Sequence, residues 1–141
     1  MSYRVLIVDD HPLFRKGVRD TLALEPGFQV IGEAADGQTA LDMILRLGPH
    51  LVLMDVHLPI RNGLDVIQQA RAHRFEGAIL VLTAYDSEEQ MRYAVRIGAN
   101  GYCSKDIPPE QLLQNIHHVL SGRYVLGSRV LTAPEVRQII G

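Results

Sequence analysis

Acidic, hydroxyl and amine side chains stand at the ends of short apolar runs along this chain. Asp9 and Asp10 follow the run RVLIV, and Asp55 follows the run LVLM. Thr83 and Lys105 stand at the ends of two later runs. Three carboxylates that meet would repel one another unless a cation lay among them, and a carboxylate can itself be the nucleophile that forms an aspartyl phosphate. These residue types therefore suit phosphoryl transfer with a divalent cation.

Phosphoryl transfer would give each of these residues a distinct part. Mg²⁺ prefers oxygen ligands in octahedral geometry and often shares a phosphate, which suits the carboxylates. Lys105 would place a positive charge beside the transferred oxygens, and the Thr83 hydroxyl would supply a neutral donor. A single Asp at the end of a strand is more often a turn former or a helix N-cap. The residues therefore indicate a site only if the fold brings them together.

The apolar runs alternate with amphipathic segments, which predicts five consecutive strand–helix units. Continuous apolar runs are typical of strands that are covered on both faces. The strands are predicted at residues 4–8, 28–31, 51–54, 78–82 and 101–103. Such units form an α/β fold, a doubly wound parallel sheet whose ligand sites lie beyond the carboxyl ends of the strands. The candidate residues stand at those ends, so we expect them to converge.

The composition favours a single cytoplasmic domain with a short appendage. The chain has 141 residues and a net charge of −2. It shows no basic stripe, which argues against nucleic-acid binding by these residues. The single cysteine, Cys103, excludes an internal disulfide and favours a reducing compartment. No apolar run is long enough to predict a membrane span, and the N-terminus does not resemble a signal peptide.

Four segments carry a resemblance to a known family: VDDHPLFRKGV at 8–18, HLVLMDVHLPIRNGLDV at 50–66, ILVLTAY at 79–85 and GANGYCSKD at 98–106. Across residues 3–122 the chain resembles the receiver domain of two-component response regulators, in the NarL/FixJ-like (LuxR-type) subfamily. The resemblance implies a CheY-like, flavodoxin-like sheet of five parallel strands in the order 2-1-3-4-5. It also predicts a receiver domain at residues 1–122 and a C-terminal extension or linker at residues 123–141.

The resemblance implies roles for the acidic residues. Asp55 matches the phosphoacceptor, and Asp9 and Asp10 match the acidic pair that binds the metal. The metal would be Mg²⁺, with Mn²⁺ as an alternative, and it would also be bound by Asp55 and by the main-chain carbonyl of His57. The implied phosphoryl donor is a phosphohistidine of a partner sensor histidine kinase, or a small acyl phosphate.

The same resemblance implies a conformational switch. Lys105 matches the lysine that pairs with the phosphoryl group, and Thr83 matches the switch hydroxyl. Tyr102 matches an aromatic switch position, whose ring turns inward when Thr83 moves toward the phosphoryl group. The expected function is therefore a phosphorelay switch that controls transcription. The resemblance also implies that the domain can form a homodimer when it is phosphorylated. Contact with a membrane is not expected.

Two features depart from the common family pattern. The residue after Lys105 is Asp106 rather than proline, so the bond between them is either trans or strained, because a cis bond without proline costs about 3–4 kcal/mol. The NarL/FixJ-like subfamily often has this Lys-Asp pair. His57 and Tyr85 occupy variable positions beside the acceptor, where the family tunes the attack of water on the acyl phosphate.

The C-terminal extension allows two interpretations. Residues 133–140 would form a linker helix with Val136, Ile139 and Ile140 on one side. Alternatively, residues 131–135 resemble the opening of a LuxR-type helix–turn–helix domain. The remaining residues are too few for a recognition helix and its support, so DNA would be bound only through a domain absent here. The chain is then either part of a longer transcription regulator or a stand-alone receiver.

Two alternative functions and one alternative metal site are weaker. A receiver-like scaffold that is never phosphorylated would not need Asp55, Thr83 and Lys105. An aspartyl-phosphate hydrolase would carry a second aspartate two positions after the nucleophile, where this chain has His57. A metal site bound by His11 and His57 matches no zinc spacing. We therefore expect a phosphoacceptor that catalyses its own phosphorylation and slow dephosphorylation, and not a multiple-turnover enzyme.

Overall fold

The computed structural model describes residues 2–85 and 87–140. Those residues form seven strands and six helices. In chain order the elements are β1 (Tyr3–Val8), α1 (Pro12–Ala23), β2 (Phe28–Ala34), α2 (Gly37–Leu47), β3 (Leu51–Met54), α3 (Gly63–Ala72), β4 (Ala78–Thr83), α4 (Glu88–Arg96), β5 (Gly101–Ser104), α5 (Pro109–Leu120), β6 (Tyr124–Leu126), β7 (Arg129–Leu131) and α6 (Ala133–Ile140). None of the helices in the two described ranges has the length and apolar character that a membrane crossing requires.

One sheet contains all of these strands, in the order β2-β1-β3-β4-β5-β6-β7. Neighbouring strands are parallel except for β6 and β7, which are antiparallel. The predicted α/β class and the order 2-1-3-4-5 are confirmed. The sheet has more strands than the predicted five because β6 pairs with the edge of β5, where Tyr102 lies opposite Leu126, and β7 follows β6.

Helices cover both faces of the sheet, as a doubly wound fold requires. One apolar core lies between the sheet and α2, α3, α4 and α6. A second core lies between the sheet and α1 and α5. The side chains of β1 from Val5 to Val8 point alternately into the two cores and are at most 1% exposed. This double burial explains why the strand has a continuous apolar run instead of an alternating pattern.

Local sequence signals set several of the element boundaries. Asp36 and Ser87 cap α2 and α4, because each side chain accepts a hydrogen bond from a main-chain N–H in the first turn. Strand β2 continues to Ala34, beyond its predicted end at residue 31. It is longer because pairing with β1 resumes after an irregularity between Val5 and Leu6.

The C-terminal extension joins the sheet through β6. A tight turn connects β6 to β7, and Gly127 in that turn has φ 63°, which glycine adopts without strain. The helix predicted at residues 133–140 is confirmed as α6. Its Val136 is 2% exposed, and Ile139 and Ile140 pack against the first core. These three residues therefore share the buried side of the helix, as the sequence predicted.

Candidate functional site

The carboxyl ends of β1 and β3 bring the three candidate carboxylates together. Val8 and Met54 are paired neighbours at the ends of these strands. The residues that follow them, Asp9 and Asp55, therefore lie side by side. A ligand oxygen from each of Asp9, Asp10 and Asp55 lies within 4.8 Å of the others. The fold thus creates a compact acidic cluster from residues that are far apart in the sequence.

Lys105 faces the two buried carboxylates of this cluster. Its Nζ lies 2.6 Å from Oδ2 of Asp9 and 2.9 Å from Oδ2 of Asp55. Asp9 is 1% exposed and Asp55 is 3% exposed, so their charges would be costly to bury without a partner. Burial by itself lowers the pKa of Lys105, but the close contacts of its ammonium with the carboxylates of Asp9 and Asp55 outweigh it and raise that pKa. Lys105 therefore stays positively charged at neutral pH.

His11 also lies in the cluster, directly after the acidic pair. Its Nδ1 is 2.8 Å from Oδ1 of Asp9 and 3.2 Å from Oδ1 of Asp10. Its main-chain N–H donates to Oδ1 of Asp9 at 2.8 Å. The imidazole is 64% exposed and therefore stands at the mouth of the site. The sequence already placed His11 near the acidic residues while its spacing from His57 argued against a zinc site, and the structure confirms that it lies beside the cluster.

The two switch candidates meet at the main chain of Tyr85. The Thr83 hydroxyl donates to Tyr85 O at 3.2 Å and accepts from Tyr85 N–H at 3.1 Å. The Tyr102 side chain is fully buried, and its hydroxyl donates to the same Tyr85 O at 3.1 Å. The Tyr102 hydroxyl also accepts from Nε2 of Gln90 at 2.8 Å. Thr83 is joined to Lys105 through its main-chain oxygen, which accepts from Lys105 N–H at 2.9 Å.

The positions that depart from the common family pattern lie at the rim of the cluster. The N–H of His57 donates to Oδ1 of Asp55 at 3.2 Å. The His57 ring packs edge-on against the Tyr85 ring, with the ring centroids 5.3 Å apart. No peptide bond within residues 2–85 and 87–140 is cis, so the bond between Lys105 and Asp106 is trans. The role of the His57 carbonyl as a metal ligand remains a prediction.

The donor set of the cluster suits a hard divalent cation. Three carboxylates face one ammonium, that of Lys105, so the cluster as a whole is negatively charged. Oδ2 of Asp9 is buried and has no hydrogen bond of ordinary geometry, so its 2.6 Å contact with Lys105 is an ion pair with a poorly aligned donor. Asp9, Asp10 and Asp55 could hold a metal ion, and a set dominated by carboxylate oxygens favours Mg²⁺ or Mn²⁺.

The chain matches a known family over most of its length. The family model described as the response regulator receiver domain matches residues 5–117. The nitrate/nitrite response regulator protein NarL of Escherichia coli (strain K12) is 37% identical over 128 residues, which are 91% of this chain and 59% of that protein. NarP of the same strain is 37% identical over 139 residues, which are 99% of this chain and 65% of that protein. The chain therefore spans about three-fifths of these relatives.

Solved structures show the same similarity. The signal receiver domain of the putative response regulator NarL from Mycobacterium tuberculosis superposes with a TM-score of 0.83 at 33% identity, covering 86% of this chain and 98% of that one. A two-component response regulator of the LuxR family from Aurantimonas sp. SI85-9A1 superposes with a TM-score of 0.84 at 31% identity, covering 99% of this chain and 96% of that one. The second match includes the C-terminal extension.

Proposed function

Because the chain belongs to the response regulator receiver domain family, with NarL-type and NarP-type two-component regulators as relatives, we propose that Asp55 accepts a phosphoryl group in a Mg²⁺-dependent reaction. The observation that carries the proposal is the position of Lys105 Nζ, 2.9 Å from Oδ2 of Asp55 and 2.6 Å from Oδ2 of Asp9. A phosphoryl group on Asp55 would meet a positive charge that is already in place. A receiver domain is a regulatory module and not a classical multiple-turnover enzyme.

Asp55 would be the nucleophile of the transfer. One carboxylate oxygen attacks the phosphorus atom and forms a P–O bond, while the bond from phosphorus to the donor breaks. The donor leaves as an imidazole if it was a phosphohistidine, or as a carboxylate if it was a small acyl phosphate. Lys105 contacts Oδ2 of Asp55, and the N–H of His57 contacts Oδ1. The nucleophile is therefore oriented before the donor arrives, which lowers the entropic part of the barrier.

The acidic cluster would hold the metal ion beside the nucleophile. Asp9, Asp10, Asp55 and the main-chain carbonyl of His57 are the proposed ligands, with Mg²⁺ as the ion and Mn²⁺ as an alternative. The bound ion would neutralise charge on the phosphoryl oxygens. Lys105 would hold those oxygens from the protein side, and the chain would catalyse its own phosphorylation and its slow dephosphorylation.

The phosphoryl group would act on the switch through Thr83. A phosphoryl group adds negative charge and strong acceptor oxygens, and the Thr83 hydroxyl is a donor at the carboxyl end of a nearby strand. If that hydroxyl turns toward the phosphoryl group, Tyr85 O loses one of the two hydroxyl donors that it now has. Tyr102 and the start of α4 must then readjust, which gives the domain two arrangements.

The partners of this chain follow from the proposed reaction. A sensor histidine kinase in the cytoplasm would supply the phosphoryl group, and formation of a homodimer would be one output of the switch. The relatives that extend beyond the matched region are named as regulators. We therefore place control of transcription in a DNA-binding domain outside these 141 residues.

Incubation with acetyl phosphate and Mg²⁺, followed by intact-mass analysis, tests the proposal. The wild type should gain one phosphoryl group, and Asp55→Asn should gain none. Asp20→Asn is the matched control, because Asp20 is an exposed acid that pairs with Lys16 outside the cluster. No gain by the wild type would favour a scaffold that is never phosphorylated, and release of phosphate over many turnovers would favour a hydrolase.

A further inference from the structure

Helix α6 packs on α4 through apolar side chains and a pair of hydrogen bonds. Val136 of α6 is 2% exposed and belongs to the same apolar core as Met91 and Val95 of α4. At the other end of α6, the guanidinium of Arg96 on α4 donates from Nε and Nη2 to the main-chain oxygen of Ile140, at 3.2 and 3.1 Å. These two hydrogen bonds tie α4 to the last described turn of α6. The two helices are thus joined at two points.

This attachment is small enough to be reversible. Within Ala133–Ile140, Val136 is buried, and Ile139 and Ile140 are only half-buried against the same core. In strand β7, which leads into α6, Arg129 and Val130 are exposed. A segment with so few buried contacts belongs to the part of a protein that opens at low free-energy cost.

Helix α4 is linked to the phosphorylation site through Gln90. The Gln90 side chain donates to the Tyr102 hydroxyl at 2.8 Å. That hydroxyl shares its acceptor, Tyr85 O, with the hydroxyl of Thr83. A turn of Thr83 toward a phosphoryl group on Asp55 would therefore change the hydrogen bonds at the first turn of α4, the helix on which α6 rests.

The main chain of Tyr102 provides a second link to the extension. Tyr102 O accepts a hydrogen bond from the N–H of Gly127 at 2.8 Å, in the turn between β6 and β7. Leu126, which pairs with Tyr102 across β5 and β6, is 1% exposed and lies in the core that contains Met91 and Val136. Tyr102 thus contacts Tyr85 and Gln90 with its side chain and the C-terminal extension with its main chain.

We propose that α6 is a phosphorylation-responsive clasp, docked on α4 while Asp55 is unmodified and released when Asp55 is phosphorylated. This inference rests on the proposed function of Asp55. Release would uncover the side chains of Met91 and Val95, which are now each 5% exposed. The phosphorylated domain would then present an apolar surface on α4 that the unmodified domain keeps covered. By linkage, weaker docking of α6 must strengthen binding of a phosphoryl group, or of its analogue, to the same degree.

Hydrogen exchange of the full chain before and after phosphorylation tests the clasp, with intact mass measured on the same sample. We expect amide exchange in residues 135–140 to accelerate on the order of tenfold, a usual size for coupling between two sites. Exchange in α2 should stay unchanged, because that helix does not contact α4 or α6 through the bonds described above. A phosphorylated sample with unchanged exchange in α6 overturns the clasp and leaves the proposed function intact. A sample that gains no phosphoryl mass overturns both.

A substitution on α6 tests the reverse direction of the coupling. Val136→Ser should release α6 and tighten binding of beryllofluoride, a phosphoryl analogue, in the presence of Mg²⁺, again on the order of tenfold. Gln138→Ser is the matched control, because Gln138 is exposed on the same helix. Equal affinities for beryllofluoride in the wild type and Val136→Ser, with α6 shown by exchange to be released, would overturn the inference.

Discussion

The hydroxyls of Thr83 and Tyr102 donate to the same atom, the main-chain oxygen of Tyr85, at 3.2 and 3.1 Å. Both side chains are buried, at 1% and 0% exposure. Because hydrogen bonds that share an acceptor depend on each other, a change at one hydroxyl alters the bond of the other. Thr83, at the end of β4, and Tyr102, in β5, are therefore connected through a single carbonyl group.

Thr83→Ala should separate phosphorylation from the response of the domain. The variant keeps Asp55 and Lys105, so intact-mass analysis should still find a phosphoryl group. Without the Thr83 hydroxyl, however, its hydrogen bonds with the main chain of Tyr85 are lost. We expect the Tyr102 ring signals in NMR spectra to shift less on phosphorylation than in the wild type. Thr21→Ala is the control, since its hydroxyl bonds only to Gly17 O within α1 among the hydrogen bonds described. A full Tyr102 response in Thr83→Ala would contradict this role.

Lys105→Met should destabilise the protein and slow its phosphorylation. It leaves the buried carboxylates of Asp9 and Asp55 without their ammonium, and breaking a buried ion pair costs about 3 kcal/mol of unfolding free energy. Loss of an electrostatic stabiliser of the transition state should slow phosphorylation about a hundredfold. Urea unfolding and intact-mass kinetics measure the two effects, and added Mg²⁺ should restore part of the stability.

Lys16→Met is the matched control for the Lys105 variant. Lys16 pairs with Asp20 at 2.8 Å, but both side chains are about three-fifths exposed. An exposed pair of this kind contributes about 0.5 kcal/mol. Equal losses of unfolding free energy in the two variants would show that the buried ion pairs of Lys105 stabilise the protein no more than an exposed pair does.

His57→Ala should shorten the lifetime of the phosphorylated state more than it changes the rate of its formation. The His57 ring lies edge-on to Tyr85 beside the acceptor, and its removal opens a path for water to the acyl phosphate. We expect dephosphorylation to accelerate by roughly three- to tenfold, which corresponds to about 1 kcal/mol of barrier. His73→Ala, an exposed histidine at the end of α3, is the control. Equal half-lives in wild type and His57→Ala would count against this position as a regulator of hydrolysis.

Asp36→Asn should remove a pH-dependent part of the stability. The main-chain and side-chain hydrogen bonds from Thr39 lower the pKa of Asp36 below its ordinary value of 3.8. A carboxyl group whose pKa is lowered by folding stabilises the protein above the unfolded pKa, and this contribution is lost as the pH falls through the folded pKa. Urea unfolding should therefore find the wild type more stable than Asp36→Asn at pH 6, with the difference disappearing below pH 3.8. A difference in unfolding free energy that grows as the pH falls would contradict this prediction.

The sequence predicted the parts of the fold that burial determines. Strands β1, β3 and β4 lie between two layers of helices, so each requires an unbroken apolar run, and such runs are recognisable without a structure. The meeting of Asp9 and Asp55 then follows from topology, because neighbouring parallel strands end at the same rim of the sheet.

Other features could not be predicted because they depend on tertiary contacts. Strands β6 and β7 are three residues each, which is too short for a periodic pattern, and they exist because β5 offers an open edge. The shared contact of Thr83 and Tyr102 uses a main-chain oxygen, an atom that every residue has and that no residue type identifies. The sequence places His11 beside the acidic pair, but the contacts of its ring with Asp9 and Asp10 depend on the conformation of the turn after β1.

Chemical mapping of the phosphoryl group tests the central claim most directly. After phosphorylation with acetyl phosphate and Mg²⁺, borohydride reduces an aspartyl phosphate to homoserine, and peptide sequencing by mass spectrometry locates that residue. We predict homoserine at position 55 alone, and none when Mg²⁺ is removed by chelation. Homoserine at position 9 or 10, or modification of Asp55 that is unaffected by chelation, would contradict the assignment of nucleophile and metal ligands.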